Sequence, residues 1–214
     1  MNTFITEKNA PEVLPLVPKS ISSQTHNDWR KYLGLSDQNL RPSQSQAHRL
    51  ALTALFHQYS IENRILFHLS VTYKEFQYTR YDEKICNHFF INFYLKSFLP
   101  ALLHTRDFNK PSKRPLQPIC YAFLDEHESK PKMRKTGVEF PIRLHHHALL
   151  ALHPQTLDSL APMIGTNRIP LRQKYASKIM TTHLRQCEPM TMLYASKQLR
   201  KYPDFLAFPD RLAS

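Results

Sequence analysis

Three consecutive histidines, His145, His146 and His147, stand at the start of the apolar run Ala-Leu-Leu-Ala-Leu. Side chains alternate along a β-strand, so His145 and His147 should project from one face and His146 from the other. Two imidazoles held side by side on a strand can bind one divalent cation. A polar patch at the beginning of a strand would use the same residues, and the triplet alone leaves both interpretations open.

A carboxylate on a neighbouring strand would complete a metal site. Residues 119–126 alternate in the manner of a strand, and a basic loop separates them from the histidines, so Glu126 is our predicted third ligand. Asp125 and Glu139 are the alternatives, and Glu126 by itself would be a solvated loop acid. Two imidazoles and one carboxylate that leave positions open would suit Mg²⁺ or Mn²⁺ bound to a phosphate oxygen.

A tyrosine and a lysine follow in the segment Tyr194-Ala-Ser-Lys197. Residues 188–201 have helical periodicity, which puts Tyr194 and Lys197 together on the side opposite an apolar stripe. The cation can lower the proton affinity of the phenol or stabilise the charge of a phosphate. Attack of a phenolate on phosphorus would form a phosphotyrosine bond, which conserves the bond energy for later religation.

The same tetrapeptide occurs at residues 175–178, so Tyr175 is an alternative nucleophile. We prefer Tyr194 because Tyr175 lies among basic residues, just before the last predicted strand, where contact with DNA or a structural role is expected. Use of both tyrosines in turn is a further alternative. A tyrosine three residues before a lysine is common by chance, and its value here lies in its position after the histidine pair.

The elements that must position these residues alternate along the chain. Hydrophobic periodicity predicts helices over residues 43–60, 82–99, 154–163 and 188–201, with the second ending or kinking at Pro100. Period-two alternation predicts strands over residues 65–73, 119–126, 140–152 and 178–187. This order predicts an α+β fold in which helices flank a central antiparallel sheet. Residues 1–60 are predicted to be an N-terminal extension, partly flexible and then helical, and residues 61–214 the domain that carries the site.

The charge of the chain predicts an anionic partner. Lysine and arginine number 29 against 17 aspartate and glutamate, a net charge of +12, and the pI is near 9.7. Such a balance is typical of proteins that bind nucleic acid. The basic residues cluster in predicted loops, where they can neutralise phosphates. The residues that we expect to bind DNA are Lys132, Arg134, Lys135, Arg172, Lys174, Lys178 and Lys201.

Composition also excludes several classes. Only three glycines occur, so the chain has neither a P-loop nor a Rossmann fingerprint, and no nucleotide cofactor is expected. Three scattered cysteines argue against a disulfide scaffold and a zinc knuckle. Residues 1–10 do not resemble a signal peptide, and no apolar run reaches the length of about 18 residues that a membrane span needs. We therefore expect a cytoplasmic protein without a membrane partner.

The ordered motifs resemble those of the HUH endonucleases, the initiators of rolling-circle replication in small plasmids and phages. The apolar strand Phe67–Tyr73 is similar to their first motif, His145 and His147 to their metal-binding pair, and Tyr194 with Lys197 to their catalytic helix. The residue between the two metal-binding histidines is usually apolar in that family, whereas this chain has His146. The resemblance covers roughly residues 62–202.

This resemblance implies an antiparallel sheet of the RRM-like, ferredoxin-related kind and a metal-dependent nickase that acts on single-stranded origin DNA. Tyr194 would remain joined to the 5′ phosphate, with Mg²⁺ or Mn²⁺ as cofactor, and a host helicase and polymerase would complete replication. A single-tyrosine transposase or a mobilisation relaxase would use the same chemistry on different DNA. A basic DNA-binding protein without enzymatic activity is the alternative of another class.

Overall fold

The computed structural model describes residues 4–5, 44–73, 82–127, 143–171, 180–199, 201–202 and 204–209. The strands are β1 Phe4–Ile5, β2 Ile65–Tyr73, β3 Ile119–His127, β4 Arg143–Leu152, β5 Gly165–Thr166, β6 Met180–Gln186 and β7 Phe205–Phe208. The helices are α1 Gln44–Ile61, α2 Glu83–Phe93, α3 Leu99–Leu103, α4 Leu157–Leu160 and α5 Thr191–Ala195. A π-helical turn, Tyr94–Phe98, joins α2 to α3, and short 3₁₀ turns flank α4 at Pro154–Thr156 and Ala161–Met163.

The strands form one sheet in the order β1-β7-β3-β4-β2-β6-β5, and every adjacent pair is antiparallel. β3 and β4 pair directly, as expected for a hairpin, and β2 lies on the other side of β4. Helices flank the sheet, so the predicted α+β class with a central antiparallel sheet is confirmed. The three strands that contain the first two sequence motifs and two of the candidate carboxylates, Asp125 and Glu126, are therefore adjacent at the centre.

Alternation along the strands divides the buried side chains between the two faces of the sheet. Phe67 and Leu69 are in the cluster with Phe90 of α2 and Leu102 of α3. The opposite face packs against α1 and α5 through a second cluster that includes Phe56. Burial of a large apolar side chain contributes about 1.5–3 kcal/mol, so both layers stabilise the sheet. On this second face, Leu149 and Ala151 of β4 are apolar and buried, whereas His145 and His147 occupy the same face nearer the start of the strand.

The helical segment around Pro100 differs from the prediction of a single helix ending or kinking there. Helical structure continues through Pro100 to Leu103, and the irregularity lies earlier, in the π turn at Tyr94–Phe98. Pro100 follows this π turn directly, and an irregular turn beside it is expected, because a proline inside a helical segment lacks the N–H and disrupts the regular hydrogen-bond ladder before it. The segment ends at His104, whose φ of 52° is left-handed.

The predicted N-terminal extension contributes a helix to the packing. Phe56 of α1 lies in the same cluster as Met192 and Ala195 of α5. The division at residue 60 remains a prediction, and most of residues 1–43 lie outside the described part of the chain. In that described part, no helix has the length and apolarity required to cross a membrane.

Candidate metal centre

Two adjacent strands bring one carboxylate and two imidazoles together. Asp125 of β3 pairs across the sheet with His145 of β4, and Phe123 pairs with His147, so all four side chains project from one face. Nε2 of His147 lies 3.0 Å from Nε2 of His145 and 3.1 Å from Oδ2 of Asp125. Nε2 of His145 lies 3.4 Å from the same oxygen. The sequence-based expectation that the two histidines share a face is met.

The geometry of this triad, Asp125, His145 and His147, suits a divalent cation. Its donor atoms all lie within 4.8 Å of one another, and all three residues are buried. Octahedral metal ions with ligand distances of about 2.1 Å have neighbouring ligands about 3.0 Å apart. The observed separations of 3.0, 3.1 and 3.4 Å are therefore compatible with three ligands on one face of an octahedron. A cation held this way keeps positions open for substrate oxygens or water.

The prediction of Glu126 as the third ligand is corrected by this arrangement, because Asp125 is the carboxylate beside the imidazoles. Successive residues of a strand face opposite sides, so only one of the two neighbouring acids can face the histidines. Both carboxylate oxygens of Glu126 instead lie 2.6 Å from Nζ of Lys201, and the Tyr202 hydroxyl donates to Oε1. The other alternative, Glu139, lies outside the described residues.

The Asp125 carboxylate is held in its charged form by the groups around it. Burial alone would raise its pKa, but hydrogen bonds from His145, His147 and Lys197 outweigh burial and hold the pKa well below its usual range. Nζ of Lys197 lies 2.8 Å from Oδ2, the oxygen that also faces the imidazoles. Burial lowers the pKa of His147, against the opposing effect of Asp125. A neutral imidazole and an ionised carboxylate are the forms that bind a metal.

A third histidine, His68, contacts the triad from β2. Nε2 of His68 lies 3.0 Å from Nδ1 of His147, and Oγ of Ser70 lies 3.3 Å from the same nitrogen. Burial lowers the pKa of His68 to about 3, so its ring is neutral at physiological pH. The sequence motif contained His68 without assigning it a role. The signal was its place on the polar face of a strand that is otherwise largely apolar.

The middle histidine of the triplet belongs to the opposite face, as alternation predicts. His146 is fully buried, with Nδ1 2.6 Å from the Tyr73 hydroxyl and Nε2 2.8 Å from Oδ1 of Asn87. Burial lowers its pKa to about 3. Its partners lie on β2 and α2, so this histidine joins the strand of the metal ligands to the helical layer behind the sheet.

Tyr194 lies beside the triad at the end of α5. Its ring centroid is 5.0 Å from that of His147, and its side chain is 48% exposed. Nζ of Lys197 is 4.6 Å from the centre of the Tyr194 ring, so the lysine contacts both the phenol ring and Asp125. A cavity of about 470 Å³ opens over these groups, lined by Ser70, Thr72, Glu126, His145, His147, Tyr194, Lys197 and Gln198.

The helix that carries Tyr194 is shorter than predicted but well anchored. Regular helix spans only Thr191–Ala195, and turns follow it. Met192 and Ala195 are buried against the sheet, which leaves Tyr194 on the cavity side. Nη2 of Arg49 in α1 donates to the Leu193 carbonyl oxygen at 2.5 Å. The N-terminal helix therefore helps to fix the position of the candidate nucleophile.

The residues expected to bind DNA are described only in part. Lys201 is exposed and forms an ion pair with Glu126 at the edge of the cavity. The other six and the alternative nucleophile Tyr175 lie in segments 128–142 and 172–179, outside the described residues. Their roles remain predictions.

No protein-family model, curated protein or solved structure matches the chain.

Proposed function

We propose that this protein is a metal-dependent nickase and strand transferase of the HUH type that acts on single-stranded DNA. The observation that carries the proposal is the shared cavity, which Tyr194 lines together with His145 and His147, the two imidazoles of the triad that Asp125 completes from beneath. A metal-binding triad alone would fit many reactions. A tyrosine with an adjacent lysine in the same cavity favours transfer of a phosphoryl group to the phenol.

The proposed step exchanges one phosphoester bond for another. The Tyr194 oxygen bonds to phosphorus, the bond from phosphorus to the 3′ oxygen breaks, and the phenol proton is transferred, directly or through water, to the released 3′ oxygen, which becomes a hydroxyl. A bound Mg²⁺ or Mn²⁺ would polarise the phosphate through a free coordination position. Lys197, next to both the phenol ring and Asp125, would stabilise the negative charge that develops.

Conservation of the phosphoester energy makes the step reversible, which suits a protein that cuts a strand and later rejoins it. We propose initiation of rolling-circle replication at the origin of a plasmid, phage or related element, with a host helicase and polymerase supplying unwinding and synthesis. The net charge of +12 supports a polyanionic substrate. A single-tyrosine transposase or a relaxase would share the chemistry, and the sequence of the DNA that is cut would distinguish them.

The test is formation of a covalent adduct. The protein is incubated with a random pool of single-stranded oligonucleotides and Mn²⁺, denatured, and examined for protein bound to DNA. We expect an adduct that requires metal and that Tyr194→Phe abolishes. Tyr202→Phe is the matched control, because Tyr202 hydrogen-bonds Glu126 and is not among the residues lining the cavity.

Two results would contradict the proposal. Full adduct formation by Tyr194→Phe would exclude this nucleophile. DNA binding that depends on salt, with neither metal dependence nor any adduct, would support the alternative of a non-enzymatic basic protein.

A further inference from the structure

His68 lies on β2 and contacts His147, one of the proposed metal ligands on the neighbouring strand β4. β2 pairs with β4 so that Ser70 lies opposite His147, and His68 lies opposite Leu149. The His68 ring is 2% exposed, and its Nε2 lies 3.0 Å from Nδ1 of His147. The edge of the same ring also approaches Tyr194, with 6.4 Å between the ring centroids.

We infer that His68 is a positioning residue: when a metal is bound, it accepts a hydrogen bond from Nδ1–H of His147 and so leaves Nε2 of that ring as the metal donor. The inference rests on the metal centre of the proposed function and assigns to it a supporting residue.

The inference follows from the two nitrogens of the His147 ring. A neutral imidazole carries one proton, and the nitrogen that binds a metal must not carry it. Nε2 of His147 faces Asp125 and His145, so the proton must reside on Nδ1 when a metal is held. That N–H requires an acceptor, because an unpaired buried donor costs about 1–3 kcal/mol. Nε2 of His68 provides one at hydrogen-bonding distance.

The cost of burying His68 also favours a functional role. When its Nε2 accepts, the ring proton of His68 lies on Nδ1, which in the described part of the chain is buried without a hydrogen-bond partner. A leucine at this position would avoid that cost, as Leu66 does on the same face of the same strand. Ser70 is the competing acceptor, but its oxygen is more distant at 3.3 Å and its side chain is less buried.

The experiment measures Mn²⁺ binding without DNA, by the loss of the free-ion electron paramagnetic resonance signal. We expect His68→Leu to raise the Kd for Mn²⁺ by about 10–100-fold, the range for residues that orient a metal ligand. Gln Oε1 can take the place of Nε2, so His68→Gln should restore most of the affinity, whereas the shorter Asn side chain should not. Ser70→Ala tests the competing acceptor and should raise the Kd far less than His68→Leu. His88→Gln, at a histidine of α2 that bonds Asn92 outside the cavity lining, is the matched control and should bind as tightly as the wild type. Thermal unfolding of each variant reports on the fold.

If His68→Leu folds and binds Mn²⁺ as tightly as the wild type, the inference is wrong and the proposed function is unaffected. Equal losses of Mn²⁺ affinity in His68→Gln and His68→Asn would overturn the inference as well. If His68→Leu does not fold, the comparison of these two variants is the test. A loss in Ser70→Ala as large as that in His68→Leu would assign the acceptor role to Ser70 instead. Failure of the wild type to bind Mn²⁺ would remove the metal centre and both proposals. If Mn²⁺ binding depends on His68 but the protein forms no DNA adduct, only the proposed function is contradicted.

Discussion

The ammonium group of Lys197 and a divalent cation would compete for the same oxygen of Asp125. Nζ lies 2.8 Å from Oδ2, and the same oxygen lies 3.4 Å and 3.1 Å from the imidazoles of His145 and His147. A cation that binds there must displace the ammonium group or share the oxygen with it, and both outcomes cost free energy. We therefore predict that Lys197→Met binds Mn²⁺ more tightly than the wild type.

The size of the effect follows from the contact that is lost. A hydrogen bond to a charged group contributes about 1.5–3 kcal/mol. The Lys197 side chain is 37% exposed, so screening by solvent places the value at the lower end. A difference of about 1.4 kcal/mol is tenfold in Kd, and we expect an increase in affinity of about that size. Methionine retains most of the length and the apolar part of the side chain and removes the ammonium group, with its charge and its hydrogen-bond donors.

The assay is titration with Mn²⁺ at neutral pH and low salt. Lys201→Met is the matched control, because its ammonium group pairs with Glu126 and its loss should leave the Kd nearly unchanged. Lys197→Met should at the same time form the DNA adduct more slowly, since the charge beside Tyr194 is gone. Unchanged or weaker Mn²⁺ binding by Lys197→Met would refute the competition.

Further predictions concern the residues that support the site. His146→Leu leaves the Tyr73 hydroxyl and the Asn87 amide with one buried partner fewer, so the free energy of unfolding in urea should fall by about 1–3 kcal/mol; an unchanged urea midpoint would contradict this role. Burial keeps the pKa of His146 at about 3, below the unfolded value of about 6.5, so the unfolded chain binds the extra proton. Stability should therefore be lost as pH falls from 6.5 towards 3, by about 1.4 kcal/mol per pH unit from this group, and His146→Leu should show a shallower dependence in urea titrations at several pH values. Arg49→Met removes the contact with the Leu193 carbonyl and should slow adduct formation several-fold with the Kd for Mn²⁺ unchanged; an equal loss of metal affinity would show a wider structural effect.

Local periodicity was sufficient to predict the parts of the fold that alternate strongly. β2 begins and ends at the predicted residues, and β3 and β4 lie within a few residues of the prediction. The position of His145 and His147 on one face of β4 follows from the same period of two. Period-two alternation does not predict β7, because Phe205–Phe208 is uniformly apolar and has no polar residue to mark an exposed face.

The third ligand depended on strand register, which local patterns do not contain. A shift of one residue exchanges Asp125 for Glu126 on the face of the histidines, and the long connection between β3 and β4 leaves that register open. His68 depended on the pairing of β2 with β4, between residues 79 positions apart. The shared face of the two histidines is thus predictable from the sequence, whereas the contacts between strands required the structure. The choice of Tyr194 over Tyr175 stays a prediction.

The most direct test identifies the tyrosine that becomes linked to DNA. After adduct formation with Mn²⁺, digestion with nuclease and trypsin would leave a nucleotide on one peptide, which mass spectrometry can locate. We predict that it lies on the tryptic peptide from Gln186 to Lys197, at Tyr194. A nucleotide on the separate peptide that contains Tyr175, or the absence of any linked peptide, would contradict the proposed chemistry.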